Sequence, residues 1–302
     1  MGILLDRIAS GRVLVADGAW GTMLHGMGMT SEDCPEAWNL SHPQQVQAVA
    51  AAYRQAGAEV ILSDTFGGSR LKLAKMGLAD RVHAFNSAGA RNSLAVAAGA
   101  VVAASVGPCG EFLEPVGELT VAQMEEAFAE QIQALHDGGC RCVDIETMSA
   151  LDEALCAARA AKAVSRDLEV IVSMTFARTA KGFRTMTGVG PAQAAAALAA
   201  SGVVDVVGSN CGNGIEQMLG ICREYRAASA APILIKANAG MPEMVGGRTV
   251  FRMTPADMAA QVPALVAAGA NIIGGCCGTT PAHIAAIAGA LGRYPAAIAA
   301  RT

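Results

Sequence analysis

Three cysteines carry the clearest chemical signal in this chain. Cys276 and Cys277 are adjacent and lie between Gly275 and Gly278. Cys211 is flanked by Gly208 and Gly212. Adjacent side chains on a strand point to opposite faces, so a vicinal pair shares one target only where the strand breaks. The two glycines permit such a break. Three thiolates with one position left open form a catalytic zinc arrangement. The spacing is not that of a zinc finger. Two plainer readings stand beside it: small buried hydrophobes, or a vicinal pair that oxidises.

Other reactive groups stand at the ends of apolar runs. Glu146 closes VDIE, and a lone acid beside a buried strand end is costly unless paired. It suits a substrate ammonium, a general base or a structural ion pair. Asp17-Gly18 suits the grip of an amino acid, with backbone N–H groups on its carboxylate, or a simple turn. Lys236 is a Schiff-base candidate, although no neighbouring acid is evident. Asn238 stands just past the same run. Cys34, Cys109, Cys140, Cys142, Cys156 and Cys222 lack a convergent context and read as core or surface thiols. The five histidines show no metal-ligand spacing, and His283 reads as structural. No phosphate-binding glycine motif appears in a strand–turn–helix context, so nucleotide use has no support.

Eight short apolar runs bring these residues into order: 13–15, 60–62, 101–106, 142–145, 170–174, 203–207, 232–236 and 271–275. Most are too continuous for one-sided strands and suit strands buried on both faces. Helical patterns lie between them. Thr120, Thr254 and Thr280 supply N-cap signals. Gly57, Gly139, Gly202 and Gly269 end helices just before the next run. Eight alternating units in 302 residues predict an α/β fold, a closed (β/α)8 TIM barrel, as a single domain over residues 1–302. The strand ends would then share one rim, where barrel active sites sit.

Composition limits the alternatives. Hydrophobic residues make up 53% of the chain and charged residues 16%, which supports a large core rather than disorder. The net charge of −4 offers no basic field for nucleic acid. No secretory signal or membrane span is evident: the most apolar stretch, 93–107, reads as a helix end entering a buried strand. Nine cysteines without a signal imply a reducing cytoplasm.

The segments ADGAWGTML (16–24), SDTF (63–66), GPCG (107–110), DIETM (144–148), GSNCGNG (208–214), ANAGMP (237–242) and GGCCGTTPAHI (274–284) together resemble the homocysteine S-methyltransferase family. They are similar in particular to the homocysteine-binding barrel of cobalamin-dependent methionine synthases, here expected as a stand-alone unit. The resemblance implies zinc held by Cys211, Cys276 and Cys277, with Asn238 as the fourth ligand before substrate arrives. It implies that Asp17, Gly18 and Glu146 hold the amino-acid part of homocysteine.

The methyl donor implied is a methyl-corrinoid protein. Relatives that use betaine carry a tyrosine after the Glu of the fourth strand and another after the TF of the second. Here Thr147 and Gly67 stand there. Aromatic residues are only 4%, too few to suggest another cage readily. Trp20 and Trp38 read as packing residues. Betaine or another onium donor, a lyase acting through Lys236, and a non-catalytic zinc-binding subunit are the competing readings.

Overall fold

The computed structural model describes residues 2–246 and 248–292. The single-domain expectation over 1–302 also reaches residues 1, 247 and 293–302, which lie outside the described residues. Eight parallel strands form one sheet: β1 (Leu14–Val15), β2 (Val60–Leu62), β3 (Val101–Val106), β4 (Cys142–Met148), β5 (Glu169–Met174), β6 (Val206–Gly214), β7 (Ile233–Asn238) and β8 (Ile272–Gly275). Neighbours in sequence are neighbours in space, and β8 pairs with β1. A bridge between Ala16 and Val60 and a hydrogen bond from Asp17 N–H to the Val60 carbonyl (3.0 Å) close the circle. The fold is a (β/α)8 barrel.

A long outer helix follows each of the eight strands, with shorter helices added after the first two strands: α1 (Pro43–Gln55), α2 (Val82–Val96), α3 (Val121–Asp137), α4 (Leu151–Val164), α5 (Pro191–Ala200), α6 (Ile215–Ala228), α7 (Pro255–Ala267) and α8 (Pro281–Ala290). Thr120 and Thr254 cap α3 and α7 through reciprocal side-chain bonds. Gly57, Gly139, Gly202 and Gly269 all adopt positive φ between helix and strand. His283 is structural: its Nδ1 faces Thr280 and its Nε2 lies 2.9 Å from the Met253 carbonyl.

Strand alternation builds two layers inside the barrel. Leu14, Val101, Ala103, Cys142, Ile171, Val206, Leu234 and Ile272 form an apolar lower layer, closed from below by Leu4. Glu169 fixes that plug by accepting the N–H groups of Leu4 (2.9 Å) and Leu5 (2.7 Å). Two residues further along the same strands stand Ser105, Asp144, Ser173 and Lys236, all buried. The period of two therefore lifts polar groups above an apolar floor, towards the rim where the strands end.

Two details differ from the sequence expectation. The sixth strand starts at Val206 rather than 203 and runs through the whole glycine- and asparagine-rich motif to Gly214. Pairing with β5 and β7 overrides the poor strand propensity of that segment. Two small hairpins, Ala177–Thr179 with Gly182–Arg184 and Glu243–Val245 with Arg248–Val250, decorate the rim. Both lie outside any continuous apolar run, so the run pattern gives no sign of them.

Candidate metal centre and acceptor pocket

β8 ends at Gly275, and the chain turns immediately. Cys276 N–H donates to the Ala237 carbonyl (2.7 Å), while the Cys277 carbonyl accepts from Ala239 N–H (3.0 Å). Gly278 takes φ +77°, and a Cβ there would collide with Phe251. Cys211 lies where the β6–β7 register shifts, and it adopts φ +58°, a strained value for a non-glycine residue. These two backbone irregularities bring the sulfurs of Cys211, Cys276 and Cys277 within 4.8 Å of one another.

The ionisation of the three thiols is unequal. Hydrogen bonds from Cys276 and Cys277 hold the Cys211 thiol far below its ordinary value. The same contacts push the Cys276 and Cys277 thiols up. Three sulfurs gathered this closely could hold a metal ion among them. Asn238 belongs to the same place: its side chain lies near enough to Cys211 to help lower that thiol's pKa, and its buried Oδ1 has no hydrogen-bond partner. Three sulfurs and one unsatisfied oxygen fit the tetrahedral preference of zinc.

A cavity of about 480 Å³ opens beside the cluster, and all three cysteines line it. Gly18, Trp20, Glu146, Thr147 and Lys236 also line it. A side chain at Gly18 would meet Thr279 Oγ1 at 2.5 Å and the Tyr53 ring at 3.0 Å, so packing against the turn after β8 and against α1 requires glycine there. Ser105 Oγ donates to Glu146 Oε1 (2.6 Å). Asn210 Nδ2 (3.3 Å) and Lys236 Nζ (3.3 Å) reach Glu146 Oε2. Asp17 lies behind Gly18. Its Oδ2 accepts from Trp20 Nε1 (2.8 Å) and Leu62 N–H (2.7 Å).

Lys236 corrects the expectation that no acid stands near it. Glu146, Asp17 and Asp144 surround its ammonium at 3.3, 3.6 and 4.0 Å. Burial opposes the charge, but the three acids outweigh it and hold the lysine pKa above its ordinary value. Asp144 is pushed up to about 7 by burial and by the charge of Glu146. The sequence spaces these acids across β1 and β4, so only barrel closure reveals the cluster. The role of Asn210 was equally hidden. It accepts Thr147 N–H at Oδ1 (2.7 Å) and donates to Thr147 Oγ1 (2.8 Å), holding that residue at φ +62°.

Trp20 is more than a packing residue, since its indole N–H holds Asp17, whereas Trp38 is buried and stacks on His42. Cys34, Cys109, Cys140, Cys142, Cys156 and Cys222 are buried away from the cluster. No helix among the described residues is long and apolar enough to cross a membrane.

Comparison with known proteins agrees with this geometry. The homocysteine S-methyltransferase family pattern matches residues 14–291. The chain is 29% identical over 306 residues to a methionine synthase of Mycobacterium tuberculosis, covering 95% of this chain and 25% of that protein. It is 29% identical over 308 residues to a methionine synthase of Mycobacterium leprae, covering 96% of this chain and 25% of that protein. The chain thus spans about a quarter of the length of these curated relatives. Its fold matches the metallated homocysteine methyltransferase MmuM from Escherichia coli with a TM-score of 0.79 and 23% identity, covering 95% of this chain and 99% of that one. The chain belongs to the homocysteine S-methyltransferase family.

Proposed function

We propose that the protein is a cytoplasmic, zinc-dependent S-methyltransferase that converts homocysteine to methionine, with a separate methyl-corrinoid protein as donor. We further propose that residues 1–302 act as one barrel domain. The observation that carries the reading is the cluster of Cys211, Cys276 and Cys277 in the wall of the cavity that also exposes Glu146. Cys211, Cys276 and Cys277 would hold the zinc, and Asn238 would occupy the fourth place until a thiol arrives. An ordinary alkyl thiol has a pKa of about 8.5 and is mostly protonated at neutral pH. Zinc bound there supplies the Lewis acidity that removes this proton.

The chain's own residues do the rest. Glu146 and Asp17 bind the acceptor's ammonium, and the Gly18 turn approaches its carboxylate. Three cysteinates keep the centre electron-rich, which preserves the nucleophilicity of the acceptor sulfur. The apolar walls exclude water from the path of the methyl group. A Schiff-base role for Lys236 is disfavoured, because an amine must lose its proton to attack a carbonyl and three acids oppose that loss.

The corrinoid donor is supported by Thr147 and Gly67, which stand where betaine-using relatives carry cage tyrosines and leave Trp20 and Phe66 as the aromatic lining of the cavity. One observation favours a second reading, a small cationic donor. Asp64 lines the cavity, is buried, and has an Oδ2 without a hydrogen-bond partner, with the charge of Glu36 beside it. A panel of methylcobalamin, betaine, dimethylsulfoniopropionate, S-methylmethionine and methyltetrahydrofolate with homocysteine separates the two. Turnover with methylcobalamin is expected. Turnover with betaine alone would reverse the donor assignment, and zinc binding without any homocysteine-dependent turnover would indicate a non-catalytic subunit.

A further inference from the structure

Lys236 sits in the β7 ladder opposite Asn210 of β6 and Gly274 of β8. Its side chain is 2% exposed, yet it reaches the cavity wall. The ammonium makes one hydrogen bond, 3.3 Å to Glu146 Oε2. Asp17 Oδ1 and Asp144 Oδ2 stand farther off, at 3.6 and 4.0 Å. Asp17 Oδ1 has no hydrogen-bond partner although its carboxylate is almost fully buried. Three carboxyl groups thus face one ammonium.

A buried carboxylate without a counter-charge takes up a proton rather than stay ionised. One lysine stands among these acids, and its charge opposes the rise that burial imposes on the Asp17 pKa. It does not neutralise them fully. Three carboxyl groups outnumber the single ammonium, and Asp17 Oδ1 is left as an open acceptor atom beside it. A ligand bringing one ammonium supplies both the missing charge and the missing donor. A ligand bringing only a carboxylate to this spot would add to the excess.

We propose that Lys236 is the specificity-determining positioning residue of the acceptor pocket, holding Asp17 and Glu146 so that the thiol is selected by its α-ammonium group. This rests on the thiol-binding reading of the site and names the group by which the acceptor is chosen. Lys236 does not touch the reacting sulfur, so its effect falls on binding and not on the methyl-transfer step.

The test is calorimetric titration of the zinc-loaded protein with homocysteine and with 4-mercaptobutyrate, which lacks only the amino group. Wild type is expected to prefer homocysteine by at least about tenfold, the scale of a hydrogen bond to a charged group. Lys236→Met should reduce that preference to about one while leaving 4-mercaptobutyrate binding within about threefold. Lys236→Arg should restore most of the preference, and Lys236→Gln serves as the neutral variant if the methionine variant does not fold. An equal loss for both thiols would reduce Lys236 to a structural residue and overturn the proposal. So would a wild-type preference for 4-mercaptobutyrate, which would mean that Lys236 takes the place of the substrate ammonium. If the preference and its dependence on Lys236 hold while no donor yields methionine, the proposed function fails and this inference stands.

Discussion

The sulfurs of Cys211 and Cys277 lie 3.8 Å apart although 66 positions separate the residues in sequence. Two independent backbone distortions produce this contact, one within the C-terminal half of β6 and one just after β8. Loss of any one thiol leaves two sulfurs and an amide, too few for a tight zinc site. Cys211→Ala, Cys276→Ala and Cys277→Ala are each expected to lose both bound zinc and methyl transfer. Asn238→Ala should retain zinc and most activity, because water can fill the position it leaves. Elemental analysis of the purified variants, paired with a homocysteine assay, checks this. Full zinc content in a cysteine variant would remove that residue from the ligand set.

Glu146 faces the cavity and shares its Oε2 between Lys236 and Asn210. Glu146→Gln keeps the shape and removes the charge. The expected result is a rise in KM for homocysteine of about ten- to a hundredfold, the scale of a lost charged hydrogen bond. The maximal rate should change much less, since the sulfur is activated elsewhere. Steady-state kinetics with saturating donor distinguish the two, and an unchanged KM would count against ammonium binding at this carboxylate.

Asp144 links pH to stability. Burial first and the charge of Glu146 second raise its pKa from 3.8 to about 7. The folded state then keeps a proton that the unfolded chain has released. Its contribution to stability is fully present below about pH 4 and is lost as pH rises through 7. Asp144→Asn carries no charge to desolvate and can still accept from Ser173. Its stability relative to wild type should increase between pH 5 and pH 8, by on the order of a few kcal/mol. Thermal melts at the two pH values measure it, and parallel melting curves would contradict the shift.

Asn210 anchors the strained Thr147 through two hydrogen bonds and is fully buried. Asn210→Ala should cost about 2–4 kcal/mol in urea denaturation, as for other broken buried networks. Thr147→Gly in that background should recover about 1 kcal/mol by removing the penalty at positive φ. No recovery would mean that the threonine backbone is not under strain.

Much of the architecture is legible in the sequence. Eight buried runs, helix-ending glycines and threonine caps determine a barrel, because each is a local signal with its own physical cause. The three cysteines are legible for a similar reason: thiols beside glycines at strand ends sit where the backbone can turn them towards one target. The acid cluster around Lys236 is not. Asp17, Asp144 and Lys236 each look ordinary within their own strands, and their meeting depends on inward alternation in three strands at once. The role of Asn210 is hidden in the same way. Its partner Thr147 lies on a strand not adjacent to its own, and a left-handed threonine leaves no mark in sequence.

The proposed function requires that an acceptor thiol enter a three-cysteine zinc centre. X-ray absorption at the zinc edge, before and after homocysteine is added, tests this directly. Three sulfurs and one lighter atom are expected around zinc without substrate, and four sulfurs with it. An unchanged shell on adding homocysteine, in protein that carries stoichiometric zinc, would contradict it.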